Sequence, residues 1–86
     1  MAKVEIYTKP FCSYCYRAKR LLDGKGIAYE ERELGFGGGP ERDEMIQRAH
    51  GRTTVPQIFI DGRHIGGCDE LMELERGGRL DALLAA

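Results

Sequence analysis

Val4-Glu5-Ile6-Tyr7-Thr8-Lys9-Pro10-Phe11-Cys12-Ser13-Tyr14-Cys15 begins as a strand-like run and ends on a C-x-x-C pair. Val4 and Ile6 are β-branched and alternate with other residue types, which predicts a strand over residues 3–8. Pro10 cannot continue a sheet ladder and breaks it. Helix formers follow: Cys15, Ala18, Leu21 and Leu22 share one face, so a helix is predicted from residue 13 to about residue 25, where Gly24 and Gly26 end it. Two thiols therefore stand at the start of a helix. Unpaired N–H groups and the positive end of the helix dipole favour thiolate there, and thiolate is the nucleophilic form. This context points to thiol–disulfide chemistry.

Residues 27–33 are predicted as a second strand, with Ile27 and Tyr29 on one side and acids around them. Gly35-Phe36-Gly37-Gly38-Gly39 reads as a plain loop. No Gly-Lys-Ser/Thr follows it, and Pro40 occupies the sixth position of a G-x-G-x-x-G pattern, which excludes both phosphate-binding signatures. Pro40 suits a helix N-terminus, and Met45, Ile46 and Ala49 give that helix an apolar face to about residue 50. Residues 55–60 and 63–66 form two strands about Asp61-Gly62, a strong hairpin signal. Helices are predicted over residues 69–76 and 79–85, separated by Gly77-Gly78. The order β-α-β-α-β-β-α, closed by a short terminal helix, makes the first strand pair parallel and the last antiparallel. An α/β fold follows, a four-stranded mixed sheet flanked by helices. The thiols lie beyond the carboxyl end of the first strand, the usual edge for chemistry in open α/β sheets.

The 86 residues make one small domain over residues 1–86, with 42% hydrophobic and 31% charged residues. No stretch approaches the roughly 20 apolar residues of a membrane span, so no membrane partner is expected. The N-terminus has no apolar signal core and points to a cytoplasmic chain, or to one whose targeting segment has been removed. A net charge of −1 gives no general pull toward nucleic acid. Locally, Lys9, Arg17, Lys19, Arg20 and Lys25 surround the C-x-x-C with Asp23 alone opposing them. The cysteine end thus reads as electropositive, although Lys19, Arg20 and Lys25 also fit an ordinary solvated helix face.

Cys12 falls at the cap or first turn and is the more exposed by pattern; Cys15 shares the apolar face of Ala18 and Leu22. Cys12 is therefore expected to attack and Cys15 to resolve. A zinc site would need two further ligands, and Cys68, His50 and His64 lack the spacing, so no metal site is expected. Val55-Pro56 precedes a strand. If its bond is cis, Val55 offers backbone N–H and C=O to an extended peptide; if trans, Pro56 simply starts the strand. Gly66-Gly67-Cys68-Asp69 opens a helix whose N–H groups suit a carboxylate. Asp69 is expected to cap that helix, to receive a ligand ammonium group, or both. Cys68 reads as a small semi-buried residue.

Thr8-Lys9-Pro10-Phe11-Cys12-Ser13-Tyr14-Cys15, Thr54-Val55-Pro56-Gln57-Ile58-Phe59-Ile60 and Gly66-Gly67-Cys68-Asp69-Glu70-Leu71 together resemble the glutaredoxin family, specifically its short bacterial dithiol type. The resemblance implies a thioredoxin fold, a cis Val55-Pro56 bond and a groove for glutathione as co-substrate. In that groove Cys12 forms the mixed disulfide, Lys9 and Gln47 attract the glycyl carboxylate, and Tyr14 lines the wall. Thr54, Val55 and Pro56 meet the tripeptide backbone, and Gly67, Cys68 and Asp69 hold the γ-glutamyl end. It implies a monomer that reduces protein disulfides and glutathione mixed disulfides. Two departures stand out. Ser13 occupies a position that is proline in the common dithiol form, and members lacking that proline include [2Fe–2S]-binding dimers that use the first cysteine, here Cys12, with glutathione. The loop over residues 35–40 is longer and richer in glycine than usual. A related alternative keeps the fold but takes electrons from thioredoxin reductase; the set Lys9, Tyr14, Thr54-Val55-Pro56 and Asp69 argues for glutathione instead.

Overall fold

The computed structural model describes residues 2–85. Its elements are β1 (Val4–Thr8), α1 (Ser13–Gly24), β2 (Glu30–Glu33), α2 (Pro40–Arg48), β3 (Gln57–Ile60), β4 (Arg63–Gly66), α3 (Cys68–Arg76) and α4 (Leu80–Ala85). The strands form one mixed sheet in the order β2-β1-β3-β4. β1 runs parallel to β2 and antiparallel to β3, and β3 runs antiparallel to β4. This is the thioredoxin-like arrangement of the sequence reading.

Every residue of β1 is buried, because the strand is central and helices cover both faces. The period-two alternation divides its side chains. Val4 and Ile6, with Ile58 and Ile60 of β3, pack against Ala18 and Leu22 of α1, Leu71 of α3 and Leu80 and Leu84 of α4. Tyr7 and Phe59 point the other way, onto Met45 of α2 and Ala49 beyond it. The outer strand β2, Glu-Glu-Arg-Glu, is mostly exposed, and its charges suit an edge that must not pair with another sheet.

Several boundaries differ from the sequence reading; β3, for one, starts at Gln57 rather than at residue 55. β2 starts at Glu30 rather than Ile27, since the Ile27 N–H is bonded to the Leu22 carbonyl at 3.0 Å in the turn that closes α1. Ile27 and Tyr29 still pack against the core from that turn. α2 stops at Arg48, short of residue 50, because His50 takes a left-handed conformation (φ 57°) and the Gly51 N–H closes onto the Ile46 carbonyl at 2.9 Å. The hairpin is as expected: Asp61 and Gly62 both have positive φ, 51° and 78°, as a type I′ turn requires.

Candidate functional site

The chain leaves β1, turns at Pro10 and Phe11, and enters α1 with Cys12 as its N-cap (φ −106°, ψ 108°). Phe11 carries a left-handed φ of 60° and its side chain is 94% exposed. The Cys15 N–H donates to Cys12 Sγ at 3.3 Å, so the sulfur takes the role that a serine or aspartate oxygen plays at other helix starts. An N–H aimed at sulfur, together with the helix dipole, stabilises negative charge on it. The Cys12 thiol also faces the Val55 carbonyl at 3.9 Å.

Cys15 is 2% exposed, on the apolar face of α1 that the sequence predicted. Burial above all, and then its contact with Cys12, push its thiol up to about 12. The two cysteines are therefore unequal: a partly exposed sulfur at a helix N-terminus, and a buried sulfur that keeps its proton near neutral pH. Cys68 is also buried, and burial pushes its thiol up too, as its reading as a packing residue anticipated.

Beside Cys12 lies a cleft lined by Tyr14, Arg52, Thr54, Val55, Pro56, Gly67, Cys68, Asp69 and Glu70. Its floor is the Val55-Pro56 peptide, which is cis. The start of α3 forms the facing wall. A Cβ on Gly67 would stand 3.2 Å from the Pro56 carbonyl oxygen, so glycine lets the helix start come close to the loop. No hydrogen bond within the protein engages the N–H groups of Cys68 and Asp69 among the described residues, which leaves them available to an acceptor in the cleft.

The sequence-predicted residues do not all converge here. Tyr14, Thr54, Val55, Pro56, Gly67, Cys68 and Asp69 share the cleft. Lys9 is half-buried on the turn before Cys12 and does not line the cleft. Gln47 projects from α2 into a separate depression with Asp43, Ile46 and His50. The capping role considered for Asp69 belongs to Glu70: α3 begins at Cys68, one residue earlier than expected, so Asp69 is already inside the first turn. Glu70 Oε1 accepts the Gly67 N–H at 2.6 Å and also takes Arg52 Nη1 at 2.9 Å, which lowers the Glu70 carboxyl below its ordinary range. Arg52 and Glu70 were missed as cleft residues. Glu70 had a readable signal, an acid three residues after the cap position; Arg52 had none beyond its nearness to Thr54.

A C-x-x-C at the N-terminus of the first helix of this sheet, facing a cis-proline loop, defines a thioredoxin-fold thiol–disulfide oxidoreductase. Residues 4–65 match the family model described as Glutaredoxin. Among relatives, Glutaredoxin 3 of Escherichia coli K12 is 58% identical over 84 residues, covering 98% of this chain and 99% of that protein. A Glutaredoxin of Pseudomonas aeruginosa is 51% identical over 86 residues, the full length of both. A crystal structure of a buckwheat glutaredoxin–glutathione complex superposes with a TM-score of 0.86 at 37% identity, covering 98% of this chain and 77% of that one. The chain belongs to the glutaredoxin family.

Proposed function

We propose that the protein is a glutathione-dependent disulfide oxidoreductase acting through Cys12 and Cys15, on glutathione mixed disulfides and on protein disulfides. The observation that carries this reading is the placement of one partly exposed sulfur, Cys12, within reach of the cis-proline loop and beside the free N–H groups at the start of α3. The complex of the buckwheat relative with glutathione supports the same ligand here. An extended tripeptide laid against Val55 gains backbone pairing, and its γ-glutamyl carboxylate meets the N–H groups of Cys68 and Asp69. Lys9 and Gln47 are proposed for the glycyl end, which on this geometry must extend beyond the cleft.

Cys12 thiolate attacks the glutathione sulfur of a mixed disulfide. The S–S bond breaks, the other thiol leaves and takes up a proton, and Cys12 is left joined to glutathione. A second glutathione thiolate then attacks the glutathione sulfur of that bond, releasing oxidised glutathione and restoring Cys12 thiolate. On a protein disulfide, Cys12 forms the mixed disulfide and Cys15 displaces the substrate thiolate. Cys15 must first lose its proton. Its contact with Cys12 is one cause of its raised value, and conversion of Cys12 to a disulfide changes that contact.

Glutathione-coupled reduction of a small mixed disulfide, with NADPH and glutathione reductase, tests this. Wild type and Cys15→Ser are expected to turn over and Cys12→Ser to be silent. Loss of activity in Cys15→Ser would show that Cys12 and glutathione alone do not suffice. The cluster alternative requires a second chain. Cys15 and Cys68 are 2% and 4% exposed, so Cys12 is the thiol each chain presents, and a [2Fe–2S] cluster takes four ligands. Cys12 and glutathione from each of two chains would complete that set. Anaerobic reconstitution that yields coloured dimer, lost in Cys12→Ser, supports it; colourless monomer counts against it. A cytoplasmic location and a monomeric state complete the proposal.

A further inference from the structure

The Thr54-Val55-Pro56 loop reaches the cleft without regular pairing of its own, since β3 begins only at Gln57. Something must fix it. Gln57 is fully buried, and its amide N–H groups turn back to the Thr54 carbonyl at 3.0 Å and the Thr54 hydroxyl at 3.3 Å. That commits Gln57 Oε1 to accept, and it does so from His64 Nε2 on β4 at 2.7 Å. The imidazole is held in turn: it lies on the Phe59 ring at 5.2 Å between centroids, and its Nδ1 faces His50 Nδ1 at 3.2 Å. Since Nε2 carries the hydrogen, Nδ1 is the acceptor in the neutral ring. Burial, with His50 and Arg52 nearby and Glu70 opposing, favours that neutral form. The chain Thr54–Gln57–His64 therefore ties the ligand-facing loop to the outer strand of the sheet, and neither Gln57 nor His64 lines the cleft.

We propose that Gln57 and His64 are positioning residues for glutathione, setting the Thr54–Val55 backbone in register for an extended tripeptide while touching neither the substrate nor the reacting sulfurs. The inference rests on the glutathione reading above and adds what determines affinity there. An untethered loop must be ordered by the ligand, a cost borne in ground state and transition state alike, so KM rises and kcat does not fall.

The test is the KM for a glutathione mixed disulfide, and kcat, in wild type, His64→Leu, Gln57→Met and His64→Gln, each first shown folded by its thermal transition. His64→Leu and Gln57→Met are expected to raise KM about five- to tenfold, the scale of one or two net hydrogen bonds, with kcat within about twofold. His64→Gln, whose amide nitrogen reaches the position of Nε2, is expected to restore KM. Folded His64→Leu and Gln57→Met proteins with wild-type KM overturn the assignment, as does a fall in kcat at constant KM. Failure of His64→Gln to restore KM overturns the role of the His64 donor. Wild type without glutathione-coupled turnover overturns the reading beneath it, and this inference with it.

Discussion

Cys12 and Cys15 are separated by a single helical turn, yet their environments differ in burial and in the state of the thiol, as the opposite roles proposed for them require. Cys12 accepts an N–H and stands partly in solvent, whereas Cys15 is buried on the helix face that carries Ala18 and Leu22 and holds its proton up to about 12. Alkylation measures this directly. Iodoacetamide at pH 7 is expected to add one carbamidomethyl group to the reduced, folded protein, mapped to Cys12 by peptide mass spectrometry. Cys15 and Cys68, buried and raised, should react only after denaturation. Fast labelling of Cys15 in folded protein would contradict the division of labour. The difference in burial was legible from the sequence, because Cys15 falls on an apolar helix stripe and Cys12 at its cap. The roles of Gln57 and His64 were not. Their bond joins two strands across a hairpin, and a local pattern records which face a residue takes, not which partner it meets there.

At the level of elements, the wall formed by α3 depends on two adjacent glycines. Gly66 has φ +122°, and a Cβ there would lie 2.6 Å from Glu70 Oε1, the oxygen that holds Gly67 and Arg52. Gly66→Ala should therefore strain the backbone and push Glu70 out of its seat together, costing about 2–3 kcal/mol in urea unfolding and weakening glutathione turnover. Glu70→Gln keeps the shape and an acceptor oxygen but loses the charge facing Arg52, and is expected to cost less than 1 kcal/mol, roughly, since both side chains are nearly half exposed. A Gly66→Ala protein as stable as wild type would show that the α3 start is more pliant than its geometry suggests. The existence and order of all the elements followed from periodicity, Pro40 and the Asp61-Gly62 turn. Two of the ends that shifted, at Ile27 and His50, are places where a backbone hydrogen bond or a left-handed residue outweighs the apolar pattern. The start of α3 shifted for a similar reason: glycine at the cap leaves the Gly67 N–H to the side chain of Glu70, and no polar side chain at that position marks the boundary.

Across the whole molecule, charge is organised in two ways. Along α1, Lys19 pairs with Glu31, and Lys25, at the end of the helix far from the thiols, with Glu75 and Asp81, so these lysines belong to the scaffold, whereas Lys9, Arg17 and Arg20 make no ion pair among the described residues. On the opposite face of the sheet, Glu5 is 5% exposed in the central strand, gripped by both nitrogens of Arg48 at 2.9 and 3.1 Å and by Arg32 at 2.9 Å. Arg48 also lies over the Phe59 ring at 4.0 Å, so this pairing ties α2 to the sheet through a guanidinium that is both charged and stacked. The bond from Arg48 is the largest influence on Glu5 and lowers its carboxyl below the ordinary 4.5; Glu31 and Glu70 are lowered as well. A lowered carboxyl contributes stability above its unfolded value and loses it as pH falls through its folded value. Cys15 and Cys68 are raised above 9.0, so their contribution is full below that pH and declines as pH rises through their folded values. His64, lowered from 6.5, likewise loses its contribution as pH falls below that value. The thermal midpoint is therefore expected to be level between about pH 7 and pH 9 and to fall on both sides. Glu5→Gln should lower it at pH 7 by about 1–2 kcal/mol, roughly 5–10 °C for a domain of this size, by leaving Arg48 and Arg32 without their counter-charge. That deficit should shrink as pH falls below the ordinary 4.5, as this carboxyl takes up its proton first in the unfolded chain and then, lower still, in the fold. Calorimetric scans of both proteins at pH 3, 5 and 7 decide it: a deficit that stays constant across the three would mean that packing around Glu5, rather than its charge, holds α2 to the sheet.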